Sequence, residues 1–263
     1  MVTKKIIAFL KKIITPFEEL DPTTTAVMVA LQVAIALVWW ENVPSDSFFP
    51  SLSQVLRGWA DLWRAGLFYH ITASFKLCFL STFIATLVSM LVAYSSTIPF
   101  FRPIANFITN LRFLPITGFT LFFMTATHGG RTLQVTLLVF FMSLYFITSL
   151  MSVIKAIPQE EIDRRKAQKM NRWEILWKVV IKDRLDYLVE IVRQNLSITW
   201  MMIVSVEVMN KAEGGLGTLL KDSEKFMTFG KIFALQLTIL LIGIGLDFLL
   251  KSLFNLFPAN RKH

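Results

Sequence analysis

The sequence predicts an all-α, polytopic membrane protein, and three observations predict it. Apolar residues make up 54% of the 263 residues and charged residues only 17%, against about 25% charged in a soluble domain. The mean hydropathy is +0.57. The apolar residues also gather into runs that approach the roughly 20 residues of helix needed to cross a bilayer. A soluble α/β enzyme is thereby excluded. So is a disordered chain, because 24 Phe and 7 Trp are too apolar for one. Hydrocarbon offers no water to backbone groups, so such runs are helices rather than strands. The one cysteine, Cys78, excludes an internal disulfide and a multi-thiolate metal site.

Six spans are expected in order along the chain. Thr24–Trp40 is short and ends in the interfacial pair Trp39 and Trp40. Ile71–Ser95 carries one charge, Lys76. Leu111–Thr127 is opened by Arg112 and kinked by Pro115. Leu133–Ile154 follows as the fourth, Leu188–Glu207 holds Arg193 and Asn195, and Ile232–Leu250 holds Asp247. Cytoplasmic flanks carry an excess of Lys and Arg. Eighteen such residues fall on the side of the N-terminal flank, the loop after span two, the 155–187 loop and the C-terminal tail. Seven fall on the other side. The expected organisation is an interfacial helix over 1–20, a six-helix domain over 21–255 and a tail over 256–263, with both termini in the cytoplasm. The net charge of +9 therefore reports topology. The bilayer, not nucleic acid, is the expected partner of the charge.

Two amphipathic stretches flank the spans. Within Lys4–Phe17, Ile6, Ile7, Leu10, Ile13, Ile14 and Phe17 recur at helical spacing opposite lysines, as in a helix lying on an anionic leaflet. Lys11 and Lys12 interrupt its apolar run, unlike a cleaved signal sequence. After Pro50, Leu52, Val55, Leu56, Trp59, Leu62 and Trp63 keep the same periodicity, predicting a helix flat on the outer surface.

No catalytic set is visible. His70, His128 and His263 are scattered and show no metal-binding spacing. Gly230-Lys231 lacks the upstream glycine of a phosphate-binding loop, so the chain is expected to have no ATPase site of its own. Gly214, Gly215 and Gly217 follow no strand and read as a turn. No cofactor or metal is expected.

The segment 155–187 is too long for a plain connection between helices. Ala156-Ile157-Pro158 ends the fourth span. Glu160, Glu161 and Asp163 then place acids in a first helical turn, and Lys166 and Lys169 follow, which complements a helix dipole. A turn near Met170–Arg172 leads into an apolar stripe of Trp173, Leu176, Trp177, Val180 and Ile181. The hairpin either merely joins spans or docks a soluble partner.

Pro158, Glu160, Asp163, Arg164, Arg165 and Arg172-Trp173 follow the spacing of a loop reading roughly P-x-E-x-x-E-A-A-x-x-x-G. Arg193, Trp200 and Glu207 fit R-x6-W-x6-E, and Gly215-Leu216-Gly217 follows. Arg112 with Leu114-Pro115, Phe49-Pro50-Ser51, and Asp247 with Lys251 match further positions. Together these resemble the membrane-spanning permease subunits of binding-protein-dependent ATP-binding-cassette (ABC) importers, in the nitrate/sulfonate/taurine branch, over roughly 45–255. The chain departs from that pattern at Lys169, where the loop glycine falls, at Ile181-Lys182 in place of Leu-Pro, and at both alanines, which are Arg164 and Arg165.

The resemblance implies a multi-pass subunit of the bacterial cytoplasmic membrane. Its implied partners are a separate ATPase, an extracytoplasmic substrate-binding protein and a second permease copy in a homodimer. The helix over about 160–171 would dock on the ATPase through Glu160, Asp163, Arg164, Arg165, Lys169 and Arg172. Arg193, Trp200 and Glu207 form an intramembrane stripe about 21 Å long. Charges within a span face protein or water, so the stripe is either a pathway element or a structural ion pair. Asp247 and Lys251, one turn apart, are expected to pair locally. Thr117, Thr120, Asn195 and Thr199 could line the path or only pack helices. The alternative is a membrane protein outside this class, a secondary transporter or a scaffold, whose loop docks a soluble partner.

Overall fold

A computed structural model describes residues 21–42, 44, 49–211 and 213–256, together with Thr15. Apart from Thr15, the amphipathic stretch expected over 4–17 lies outside the described residues. The architecture is all-α, with eleven α-helices among the described residues. Helix α1 (Pro22–Glu41) presents no buried residue. Helix α2 (Leu52–Arg64) is opened by Gln54, whose side chain accepts from the Ser51 N–H at 3.0 Å. It packs its apolar face on the start of α11 (Phe229–Leu256). Gly58 and Gly230 permit that contact: a Cβ at Gly58 would lie 2.6 Å from the Gly230 carbonyl oxygen.

The centre is a parallel pair, α3 (Leu67–Ser95) and α6 (Gly130–Lys155), in register from Arg131 on the Ala73 carbonyl to Ser143 on that of Ala85. Helix α3 carries Ser74, Cys78, Ser81, Ala85, Ser89 and Ala93 at intervals of three and four, all buried. Small residues at this spacing let helix backbones approach closely. Ser89 uses the proximity, donating to the Ala85 carbonyl at 2.6 Å and to the Ser143 carbonyl of α6 at 3.3 Å. Leu133, Leu137, Phe141 and Phe146 fill the space around the stripe.

Among the described residues, four helices are long and apolar enough to cross a membrane: α1, α3, α6 and Phe229–Ser252 within α11. The chain is a polytopic membrane protein on this count. The third expected span is corrected. Instead of one kinked helix over 111–127, helix α4 (Arg102–Asn110) runs through a 3-10 turn at Leu111–Phe113 and breaks. Helix α5 (Ile116–Thr127) then departs at 110°. Pro115 supplies no N–H, and Leu114 before it is extended with ψ 135°. At about 18 Å, α5 alone is shorter than a hydrocarbon core of about 30 Å. The bent pair, taken as one, would make a fifth span.

Helix α7 (Gln159–Ala167) and the short α8 (Arg172–Ile175) form the hairpin. A π turn (Leu176–Ile181) and a 3-10 turn (Lys182–Arg184) then lead into α9 (Leu185–Met209), so the apolar return stripe is a broken helix rather than a regular one. Helix α9 is continuous but too polar overall to stand among the apolar spans. Helix α10 (Leu216–Lys225) folds back against the far end of α9 before α11 begins.

Candidate functional site

The hairpin is a small unit with its own core. Ile157, Ile175, Val179 and Val180 are buried together, with Tyr94, Ile162 and Met170 packed against them. Helix α7 starts after Pro158, which has no N–H to leave unsatisfied. It ends earlier than the sequence suggests because Lys169 adopts a left-handed conformation, φ 59°. The Met170 N–H then bonds the Arg165 carbonyl at 3.3 Å and the Lys169 N–H bonds that of Lys166 at 2.9 Å, a Schellman closure. This is the position where the related loop carries glycine. The Asn171 N–H, donating to the Glu174 carboxylate at 3.1 Å, restarts the chain as α8.

Of the hairpin residues singled out by sequence, Glu160, Asp163, Arg164, Lys169 and Arg172 are exposed. Arg165 is half-buried and turned inward, 3.5 Å from Asp183. Hydrogen bonds from Lys166 and from Gln159 hold the Asp163 carboxyl below the usual carboxylate range. The sequence placed Glu161 in the first turn of α7 without a partner and did not single out Asp183 or Arg184. Arg184 donates to Glu161 at 2.9 Å, so α7 is tied by two ion pairs to the 3-10 turn from which α9 grows.

Arg193, Trp200 and Glu207 each meet a different element. Arg193 binds both carboxylate oxygens of Glu190, at 2.7 and 2.8 Å, and reaches Asp247 on α11 at 2.8 Å. The expected local pair of Asp247 with Lys251 is therefore corrected: Asp247 bonds across to α9, because Arg193 has a third guanidinium nitrogen, Nη1, left to donate to it. Trp200 donates its indole N–H to the Ile239 carbonyl of α11 at 3.0 Å. Glu207 is fully buried. Ser74 of α3 donates to its two oxygens at 2.7 and 3.0 Å, and the Gly217 N–H donates at 2.9 Å. The Leu216 N–H donates to Ser74 at 2.9 Å. A carboxylate thus sits on the first turn of α10, where the helix dipole favours it. Gly215, with φ 116°, makes room; a Cβ there would collide with the carboxylate.

A cavity of about 1050 Å³ lies along α9 and α11. Arg193 and Asp247 mark its hairpin end, and Gln194, Ser197, Met201 and Ser205 line it from α9. These four recur every three to four residues as an exposed stripe on α9. Their legible signal was polarity at helical spacing inside an otherwise apolar run. Asn195 and Thr199 lie on the other side of the helix and do not line the cavity. Asn195 donates to Ser149 of α6 at 3.2 Å, and the Thr199 hydroxyl is buried without a partner among the described residues. Thr117 is exposed on α5, and Thr120 donates to the Ile116 carbonyl at 3.2 Å while lying 3.6 Å from the Met209 sulfur of α9. No cluster of His, Cys, Asp and Glu among the described residues has the makings of a metal site.

The family described as the binding-protein-dependent transport system inner membrane component matches residues 71–261. The chain belongs to this family. It is a multi-pass inner-membrane permease subunit of an ABC importer, and permeases of this kind carry no ATPase site. An ATPase and a substrate-binding protein are the partners that membership implies. The permease is 24% identical, over 82% of each chain, to the taurine transport system permease protein of Escherichia coli (strain K12). Among solved structures, it resembles a chain of the MetNI methionine ABC transporter in inward-facing conformations. The TM-score is 0.54 at 14% identity, covering 78% of the permease and 96% of that chain. Membership removes the secondary transporter and the scaffold as alternatives.

Proposed function

We propose that this permease imports a small sulfonate, taurine or a related oxyanion such as nitrate, and that its 155–187 hairpin is the cytoplasmic dock for the ATPase. The observation that carries the docking is the pair of ties from α7 to the root of α9, Arg184 to Glu161 and Arg165 to Asp183. They leave Glu160, Asp163, Arg164, Lys169 and Arg172 on the outer surface while coupling α7 to the cavity-lining helix. Charge-assisted hydrogen bonds from those exposed groups suit a groove on a soluble partner. Closure of the ATPase on ATP then moves the hairpin as a unit, and α9 moves with it.

In this reading the chain crosses the membrane six times, with α9 and the bent α4–α5 region completing the count, and both termini are cytoplasmic. A spanning helix as polar as α9 keeps its charges off lipid. Its stripe of Gln194, Ser197, Met201 and Ser205 faces the cavity, and a second copy of the chain closes that cavity into a pathway. The Arg193–Asp247 pair at its hairpin end offers a cation to a sulfonate and a carboxylate to an amine, as an amino sulfonate requires. The taurine permease relative supports that substrate class.

Proteoliposomes holding the permease, its ATPase and its binding protein test the docking. Alanine at Glu160, Asp163 and Arg164 together should leave membrane insertion intact and abolish ATP-driven uptake. Normal uptake by that triple variant would remove the docking assignment.

A further inference from the structure

A second cavity, of about 660 Å³, lies at the hairpin end between the 96–102 segment, the last turns of α6 and helices α7 and α8. Its walls are of two kinds. Met151, Ile154 and Ile162 form an apolar slot, while Arg102, Lys155 and Arg172 bring three cations to the same space. No acidic side chain lines it. None of the three cations has an ion-pair partner among the described residues, whereas Arg165, Lys166 and Arg184 nearby each hold a carboxylate. Large aromatic side chains stand exposed around it: Trp173, itself in the lining, is 65% exposed, Phe100 is 75% exposed, and Trp177 follows one turn after Trp173. Such residues populate the headgroup level of a membrane.

We infer that this cavity binds an anionic phospholipid of the cytoplasmic leaflet. The headgroup phosphate meets Arg102 and Lys155, and an acyl chain lies against Met151, Ile154 and Ile162; Arg172, at the rim, stays with the docking surface. Basic pockets beside spanning helices suit anionic headgroups in this way. A free phosphate shares the anion chemistry but makes no use of the apolar slot. The lipid would join the end of α6 to the hairpin, so the inference rests on the cytoplasmic placement of the hairpin proposed above.

The test is native mass spectrometry of the intact transporter, permease with its ATPase, loaded with phosphatidylglycerol or phosphatidylcholine. The wild type should retain phosphatidylglycerol selectively, and inorganic phosphate at about 10 mM, tenfold above the Kd of a millimolar anion site, should not displace it. Each cation near an anionic headgroup is worth about fivefold in binding, so R102Q/K155Q should lower retention about thirtyfold. K178Q, an exposed cation outside the cavity, should change nothing. Undiminished retention in the double variant, an equal loss in K178Q, equal retention of phosphatidylcholine, or displacement by phosphate would each overturn the lipid site. Sidedness is read separately by labelling Gln168→Cys in right-side-out and inverted vesicles. A hairpin labelled from outside removes the docking reading as well, whereas an inside hairpin without lipid selectivity removes the lipid site alone.

Discussion

The two ends of α9 use the same residue chemistry to opposite ends. At one end Glu207 is fully buried, fed by Ser74 and by the first N–H groups of α10. At the other end Arg193 bonds Glu190 on its own helix and Asp247 on α11, and the Asp247 side chain is 57% exposed. A buried carboxylate with three donors in its network has no equivalent alternative partner, since leaving any of them unsatisfied is costly. An ion pair beside solvent exchanges partners at little cost. Helix α9 therefore has a sealed end at Glu207 and an end held by exposed ion pairs at Arg193, and the hairpin joins the second.

Glu207→Ala breaks the comparison most severely. It strands the Ser74 hydroxyl and the Gly217 N–H, and should lower the stability of the detergent-purified permease by about 3 kcal/mol. Thermal unfolding reads this; a midpoint equal to wild type would mean that the far end is not clamped. Gly215→Ala comes next, at about 2 kcal/mol, because it adds a Cβ against the same carboxylate at a φ that L side chains rarely adopt. Trp200→Phe keeps one six-membered ring but removes the indole N–H bond to Ile239 and part of the buried packing, which together should cost about 1–2 kcal/mol in the same assay. A loss above that of Gly215→Ala would show that the α9–α11 contact, not Glu207, is the principal clamp.

Lys169→Gly sharpens the description of the hairpin. Relieving a left-handed lysine should raise the local stability of α7 by about 1 kcal/mol. Slower amide exchange at Gln168–Met170 would show it, and faster exchange would mean that the Lys169 side chain holds the turn. Arg193→Gln should have the smallest effect on stability, within about 1 kcal/mol, while reducing uptake. Unchanged uptake would leave the Arg193 end without a transport role.

Much of this was legible in advance because it depends on composition and local rules. The apolar runs of α1, α3, α6 and α11 stand out by length alone. The break after the fourth span follows from Pro158, and the acids of α7 follow from its dipole. Other features were hidden because they depend on what crosses from elsewhere in the chain. Pro115 signals a kink, but the 110° departure of α5 is decided by what it packs against. Asp247 stands one turn from Lys251, yet its partner is Arg193, 54 residues away. Asn195 and Thr199 looked as suited to a pathway as Gln194 and Ser197, because periodicity shows that a helix has faces without showing which face meets α6.

The sequence by itself determined an all-helical membrane protein, the order of its long apolar helices, the charged hairpin and the family to which the chain belongs. Hydrophobicity, charge bias and turn chemistry act within a few residues of chain, so a linear reading captures them. Only the tertiary structure decided which side of α9 is sealed and which lines a cavity, that Glu207 caps α10, and that Arg165 and Arg184 tie the hairpin to the root of α9. Those outcomes depend on distances between residues far apart in the chain, and close packing sets such distances only once all the helices are in place.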